Sequence, residues 1–146
     1  NPRMKPLLFC LLTAAIGNCL YHLGLKSADI QGNPMRALSL YYAFAFILSL
    51  AAAPFFGPLK LSDGLVSAAA DWRIWLVAAG MVLIELGFFL AYRSGGSPQW
   101  SGVAVNGTAA LLLVPLGILL FHEQFSVQKV LGIVLTLSGI YFLASK

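Results

Sequence analysis

Ile74 to Tyr92 reads IWLVAAGMVLIELGFFLAY, 19 residues of which one, Glu85, is charged. About 20 apolar residues in a helix cross the roughly 30 Å hydrocarbon core of a bilayer, whereas a surface helix of a soluble protein keeps one polar face. This stretch is therefore a transmembrane helix, and the rest of the chain shares its pattern. Four further runs of the same kind are Pro6 to Leu25, Ala37 to Phe56, Gly102 to Phe121 and Val130 to Ser145, the last extending back to Val127. Breakers separate them at Gly32-Asn33-Pro34, at Pro54 with Gly57-Pro58, at Ser94-Gly95-Gly96-Ser97-Pro98 and at His122-Glu123-Gln124. The expected fold is all-α: a single polytopic membrane domain, residues 1–146, of five transmembrane helices near 6–25, 37–56, 74–92, 102–121 and 127–145.

Composition agrees. Sixty per cent of the chain is apolar and 10% charged, far too little charge for a soluble domain of 146 residues. The nine Lys and Arg are scattered singly, so no basic patch for nucleic acid is expected. Cys10 and Cys19 lie nine positions apart in one helix, on opposite faces and out of disulfide reach. Arg3 and Lys5 before an apolar run imitate a signal peptide, but His22 and Lys26 stand where a cleavage site would be, so the first run reads as a retained helix. Met4-Lys5 reads as a native start, with Asn1 to Arg3 appended ahead of it. Between Leu59 and Trp72 the residues Leu61, Leu65, Val66 and Ala69 stand among Lys60, Asp63 and Asp71, the pattern of either a short interfacial helix or an ordered surface loop.

Five spans put the chain ends on opposite sides of the membrane. Arg3, Lys5, Lys60, Arg73 and Lys129 then face one side and Lys26, Arg36, Arg93 and Lys146 the other, five against four. The positive-inside rule has almost no bias to act on. The expectation is insertion in both orientations, with a single fixed orientation as the alternative.

Glu85 is the only charged residue deep in any span. A charge there costs about 2.5–3.5 kcal/mol on insertion scales, so the side chain should face protein or a water-filled cavity. A carboxyl held there can trade a proton for a cation; the plainer role is hydrogen-bonded glue between helices. Tyr92 stands at i+7 on nearly the same face, and Arg93 two turns on either guards the mouth of a cavity or snorkels to headgroups. In the first helix Ala14, Gly17, Asn18, Tyr21 and His22 form one stripe. Asn18, Tyr21 and His22 are candidates for substrate contact or proton relay, although His22 near the helix end would also suit an interfacial anchor. Asn106 is a further amide inside a span that needs a partner, and its Asn-Gly-Thr sequon would be out of reach of glycosylation there. Trp72, Trp75 and Trp100 sit at helix ends, as an aromatic belt requires. Gly132, Thr136 and Gly139 give the fifth helix a small-residue seam suited to helix packing between subunits, and Gly80 and Gly87 give the third a similar one. There is no Gly-x-x-x-x-Gly-Lys, no Cys or His pair at metal-ligand spacing, and His122-Glu123 lacks the second His of a zinc helix. No catalytic residue, cofactor or metal is expected.

Leu111 to Lys146, LLLVPLGILLFHEQFSVQKVLGIVLTLSGIYFLASK, resembles the end of an EamA-type domain of the drug/metabolite transporter superfamily. Pro115, then Glu123 eight residues on, a linker ending in Ser126, and Gly132 and Gly139 carry the resemblance, and AYRSG at Ala91 to Gly95 agrees with it. The chain departs from the pattern at His122, where a Gly commonly precedes the Glu, and in Glu85. Full-length members hold two five-helix units in opposite orientation, so the resemblance implies a homodimer, antiparallel if insertion is dual, forming a ten-helix inverted repeat. It also implies a structural role for Glu123, capping the start of the last helix. The distantly similar small multidrug resistance proteins use a first-helix Glu that this chain lacks. The function expected on these grounds is alternating-access transport of a small organic solute in a cell membrane, the bacterial inner membrane in particular. An amine exchanged for protons is the form Glu85 suggests. The alternatives are a lipid-linked solute flippase subunit and a non-transporting assembly partner.

Overall fold

The computed structural model describes residues 4–60 and 64–145, which are predominantly helical with no strand among them. Asn1 to Arg3 and Lys146, and Leu61 and Asp63 of the connecting segment, lie outside the described residues. In chain order the helices are α1 (Met4–Ser27), α2 (Pro34–Ala52, continued by a 3-10 turn Ala53–Phe56), the five-residue α3 (Leu65–Ala69), α4 (Trp72–Arg93), α5 (Pro98–Phe121) and α6 (Val127–Ala144). All but α3 are long and apolar enough to cross a membrane, so the chain is by length and composition a multi-pass membrane protein. The short α3 occupies part of the segment that connects the second span to the third.

Cap chemistry sets the ends. Asn33 accepts from the Met35 N–H at 2.9 Å with Pro34 in the first turn, so α2 begins three residues before its apolar run. Pro98 plays the same part for α5, four residues ahead of Gly102. Asp71 heads α4, accepting from the Arg73 N–H at 2.9 Å while holding the Arg73 guanidinium at 2.8 Å. The start of α6 corrects an expectation: Ser126, not Glu123, caps it, its Oγ accepting from the Lys129 N–H at 3.3 Å. Glu123 instead folds back over Gly117 of α5 and lies 4.0 Å from Lys129 Nζ, because a linker separates it from the helix it was expected to cap.

Two helix ends require left-handed backbone. After α4 the Gly95 N–H bonds Tyr92 O at 3.1 Å and the Gly96 N–H bonds Ala91 O at 2.9 Å, a Schellman turn with Gly95 at φ 91°. A Cβ on Gly96 would stand 2.8 Å from the Ala91 carbonyl oxygen, so this position admits no side chain. After α5 the corresponding residue is His122 at φ 52°, with the Gly117 carbonyl accepting from the N–H groups of His122 and Glu123. His122 thus occupies the conformation glycine adopts most easily.

The chain divides into two compact units, one of Asn1–Ser27 with Ala91–Lys146, the other of Ala28–Leu90. In the first, α5 packs against α1 and α6. Gly107 makes the α5–α6 approach possible: a Cβ there would overlap Ile140 Cδ1 and reach Thr136 Cγ2 at 3.3 Å. In the second, Ala37, Leu38, Phe88 and Phe89 are buried, and Trp75 Nε1 donates to Ala69 O at 2.7 Å, fastening α3 to the start of α4. Most other large apolar side chains, such as Phe55, Leu119 and Phe142, are exposed, which in a bilayer brings them to lipid at no hydrophobic cost.

Replacing His122 by Gly relieves a left-handed Cβ and should stabilise the protein in detergent by about 1 kcal/mol, and Gly95→Ala, with open space around its Cβ, should destabilise it by a similar amount. Denaturant unfolding of the two variants beside wild type measures both. The Arg73 hydrogen bonds hold the Asp71 carboxyl below the ordinary aspartate range. A group whose folded value is depressed stabilises above its unfolded value and loses that contribution as pH falls through the folded one. Asp71→Asn should therefore lower the unfolding midpoint at neutral pH, and the gap should narrow as the pH falls through the folded value of the carboxyl.

Candidate functional site

In the first unit α1 packs against α5, which also packs against α6. Asn18 and His22, one turn apart on α1, line an open groove of about 450 Å³ together with Gly102, Val103 and Asn106 of α5 and Thr136 of α6. Asn18, His22 and Asn106 are separate candidates in the sequence; the fold brings all three to one surface. Neither the Asn18 nor the Asn106 amide has a hydrogen-bond partner among the described residues. Thr136 Oγ1 donates to Gly132 O at 2.8 Å, so its proton is committed within α6.

His22 is buried and held from behind. Its Nδ1 lies 2.7 Å from Tyr92 Oη, the rings meet edge to face at 5.9 Å, and Tyr21 packs edge-on at 5.0 Å. Gly102 gives the imidazole its room, since a Cβ there would stand 3.2 Å from Nε2. Lys26, one turn beyond His22, donates from Nζ to Gly96 O at 2.9 Å and sits 5.8 Å from the centre of the Tyr92 ring. The last turn of α1 is thereby tied to the Schellman turn that ends α4. Tyr92 acts here as the support of His22, and neither it nor Tyr21 lines the groove. Arg93 is exposed in the last turn of α4 and does not line it either.

Glu85 belongs to the other unit. There its Oε2 is enclosed without a hydrogen-bond partner, as are the hydroxyls of Tyr41 and Tyr42 on α2, and both tyrosines lie within electrostatic range of the carboxyl. The tyrosine pair was not among the residues singled out from the sequence. The available signal was two adjacent hydroxyls about two turns inside an apolar span, which a count of aromatic residues as apolar conceals.

Of the small-residue seam, Thr136 faces α5 of its own chain across Gly107, while Gly132 and Gly139 are open, with nothing within 4 Å of where a Cβ would stand. Beside Gly132 a second cleft of about 480 Å³ runs between α5 and α6, lined by Leu111, Val114, Ile118 and Ile133 with Glu123 and Lys129.

Tyr92→Phe removes the partner of a buried imidazole nitrogen and should cost about 1–3 kcal/mol, a loss that denaturant unfolding in detergent would register. An unchanged midpoint would mean that the bond contributes nothing net.

Compared with protein-family models, with curated proteins and with solved structures, the chain has no match.

Proposed function

We propose that this chain is one half of a membrane transporter for a small organic solute, working by alternating access as a homodimer. One observation carries the reading: Asn18, His22 and Asn106 converge on one open groove inside the membrane-spanning part of the chain, and both amides lack a partner among the described residues. Lipid cannot supply hydrogen bonds at that depth, so the groove needs water, a solute or protein in it. A volume of about 450 Å³ lies within the range of small-molecule sites, roughly 300–1,000 Å³. The EamA-type resemblance of the C-terminal helices supports the same class, and its two-unit members support a dimer, antiparallel given the near balance of loop charge. The bacterial inner membrane is the corresponding location. Glu85, beside Tyr41 and Tyr42, is the proposed proton site, since it is the acidic side chain enclosed within a span.

A lipid-linked solute is the second reading. It is favoured by the cleft between α5 and α6, whose apolar walls suit an acyl chain and whose Glu123 and Lys129 suit a headgroup.

Uptake into liposomes holding the purified protein, with an imposed pH gradient and a panel of labelled metabolites, tests the proposal. At least one solute should accumulate above the level of protein-free liposomes, and Glu85→Gln should abolish the response to the gradient. If folded, dimeric protein accumulates nothing, transport is overturned and the polar residues serve assembly alone.

A further inference from the structure

We infer that the groove of α1, α5 and α6 takes an uncharged, hydroxyl-rich solute, a polyol or a sugar, and not the amine that Glu85 taken alone suggests. This inference rests on the transport reading above and names its substrate class.

No carboxylate, ammonium or guanidinium among the described residues lines the groove. Its polar members are Asn18, His22, Asn106 and Thr136, and the remainder are Pro98, glycines and small apolar residues. An ionic solute leaving water for such a site would lose its hydration with no counter-charge to replace it. A neutral solute loses only hydrogen bonds, which the wall can return.

The kind of hydrogen bond offered also matters. A primary amide presents both an acceptor oxygen and an NH2 donor, the same pairing that a hydroxyl presents, and two such amides face the groove from different helices. Thr136 has directed its proton to the Gly132 carbonyl and offers a solute no donor. The imidazole of His22 is fixed in direction by Tyr92 at Nδ1. Asn18 and His22 are one turn apart, about 6 Å along α1, and the α5 wall runs from Pro98 past Asn106 to Ala110, roughly 18 Å. The polar positions on the two helices can engage several hydroxyls of one molecule at once. A single-headed alcohol or a purely apolar compound would leave an amide unpaired, and a site of this type discriminates strongly against analogues that lack its partner groups.

Free polyols and the sugar headgroup of a glycolipid share this chemistry, so the experiment includes both. Protein purified in a zwitterionic detergent, which brings no sugar headgroup to compete, is assayed by equilibrium binding of labelled glucose and myo-inositol. Competitors are choline, methylammonium, glutamate, octyl glucoside below its micellar concentration, and the single deoxy analogues of glucose. The neutral polyols should bind saturably and displace one another, and the charged competitors should not displace them. Asn18→Ala and Asn106→Ala should each weaken binding roughly tenfold. Removal of at least one hydroxyl should weaken it comparably in wild-type protein, a readout that does not depend on any variant folding. Binding of octyl glucoside with the same sensitivity to Asn106→Ala, but not of free glucose, also supports the inference and assigns the source to a glycolipid. Saturable binding of choline or methylammonium that Asn18→Ala and Asn106→Ala leave intact, with no polyol bound, overturns the inference and leaves the transport reading standing. Binding of no solute of any class by folded protein overturns both. A fall in the dimer fraction with Asn106→Ala, with no polyol bound by wild type, assigns the amides to a second copy and overturns the inference.

Discussion

Hydrocarbon offers no water to an unpaired N–H, C=O or side-chain amide, and each feature of this chain is a response to that shortage. Helices satisfy the backbone within each span, and the places where a helix must stop are those where other groups take over. Asn33, Asp71 and Ser126 accept the first free N–H groups, and the Schellman turn after α4 returns two N–H groups to the carbonyls of Ala91 and Tyr92. Side chains have no such regular solution. His22 finds Tyr92, Thr136 finds the Gly132 carbonyl, and Lys26 finds Gly96. Asn18, Asn106, Glu85, Tyr41 and Tyr42 are left with unsatisfied polar atoms within the described residues. Under the same constraint, these are the groups that water, a solute or further protein would have to satisfy.

The satisfied contacts position the unsatisfied ones. The Schellman turn needs Gly95 for its left-handed backbone and Gly96 for its close approach to Ala91, and its geometry presents the Gly96 carbonyl to Lys26. Tyr92, whose carbonyl closes that turn, uses its hydroxyl to hold His22. Gly102 then lets the imidazole lie against α5, and Gly107, next to Asn106, lets α6 approach close enough to bring Thr136 to the groove. The end of α4 and the helices α1, α5 and α6 are thus registered by glycines and one buried hydrogen bond. A residue such as Tyr92 contributes to the site by fixing the direction of a side chain that lines it.

The five spans were legible in the sequence because hydrocarbon thickness imposes a minimum length that composition alone reveals. Their starts were less legible. An apolar count begins at Ala37 or Gly102, whereas the helix begins at the proline after its cap, at Pro34 or Pro98. The α1 stripe was legible through its 3.6-residue period, and Asn106 through its depth in a span, but that both meet in one groove depends on which helices pack together, which no single helix encodes. Glu123 misled for a related reason. An acid near a helix start has the right charge for a cap, but Ser126 immediately before Val127 has the right position, and position decides a hydrogen bond. Tyr41 and Tyr42 were passed over because a tyrosine's large apolar ring masks its hydroxyl in any count of hydrophobic residues.

Keeping the acidic residue out of a groove without formal charge has an energetic consequence for the proposed mechanism. An amine exchanged for a proton at a shared carboxyl moves no net charge, so a membrane potential neither helps nor hinders it. A neutral polyol carried with one proton moves one charge, and the potential then contributes about 2.3 kcal/mol per 100 mV in addition to the pH gradient. The groove itself never has to hold an ion, so its amides can remain matched to hydroxyls through the cycle, and the cost of burying charge is confined to Glu85 and its neighbouring tyrosines. Balanced loop charge fits the same picture. On the proposed dual insertion, two opposed copies would supply the symmetry that alternating access needs.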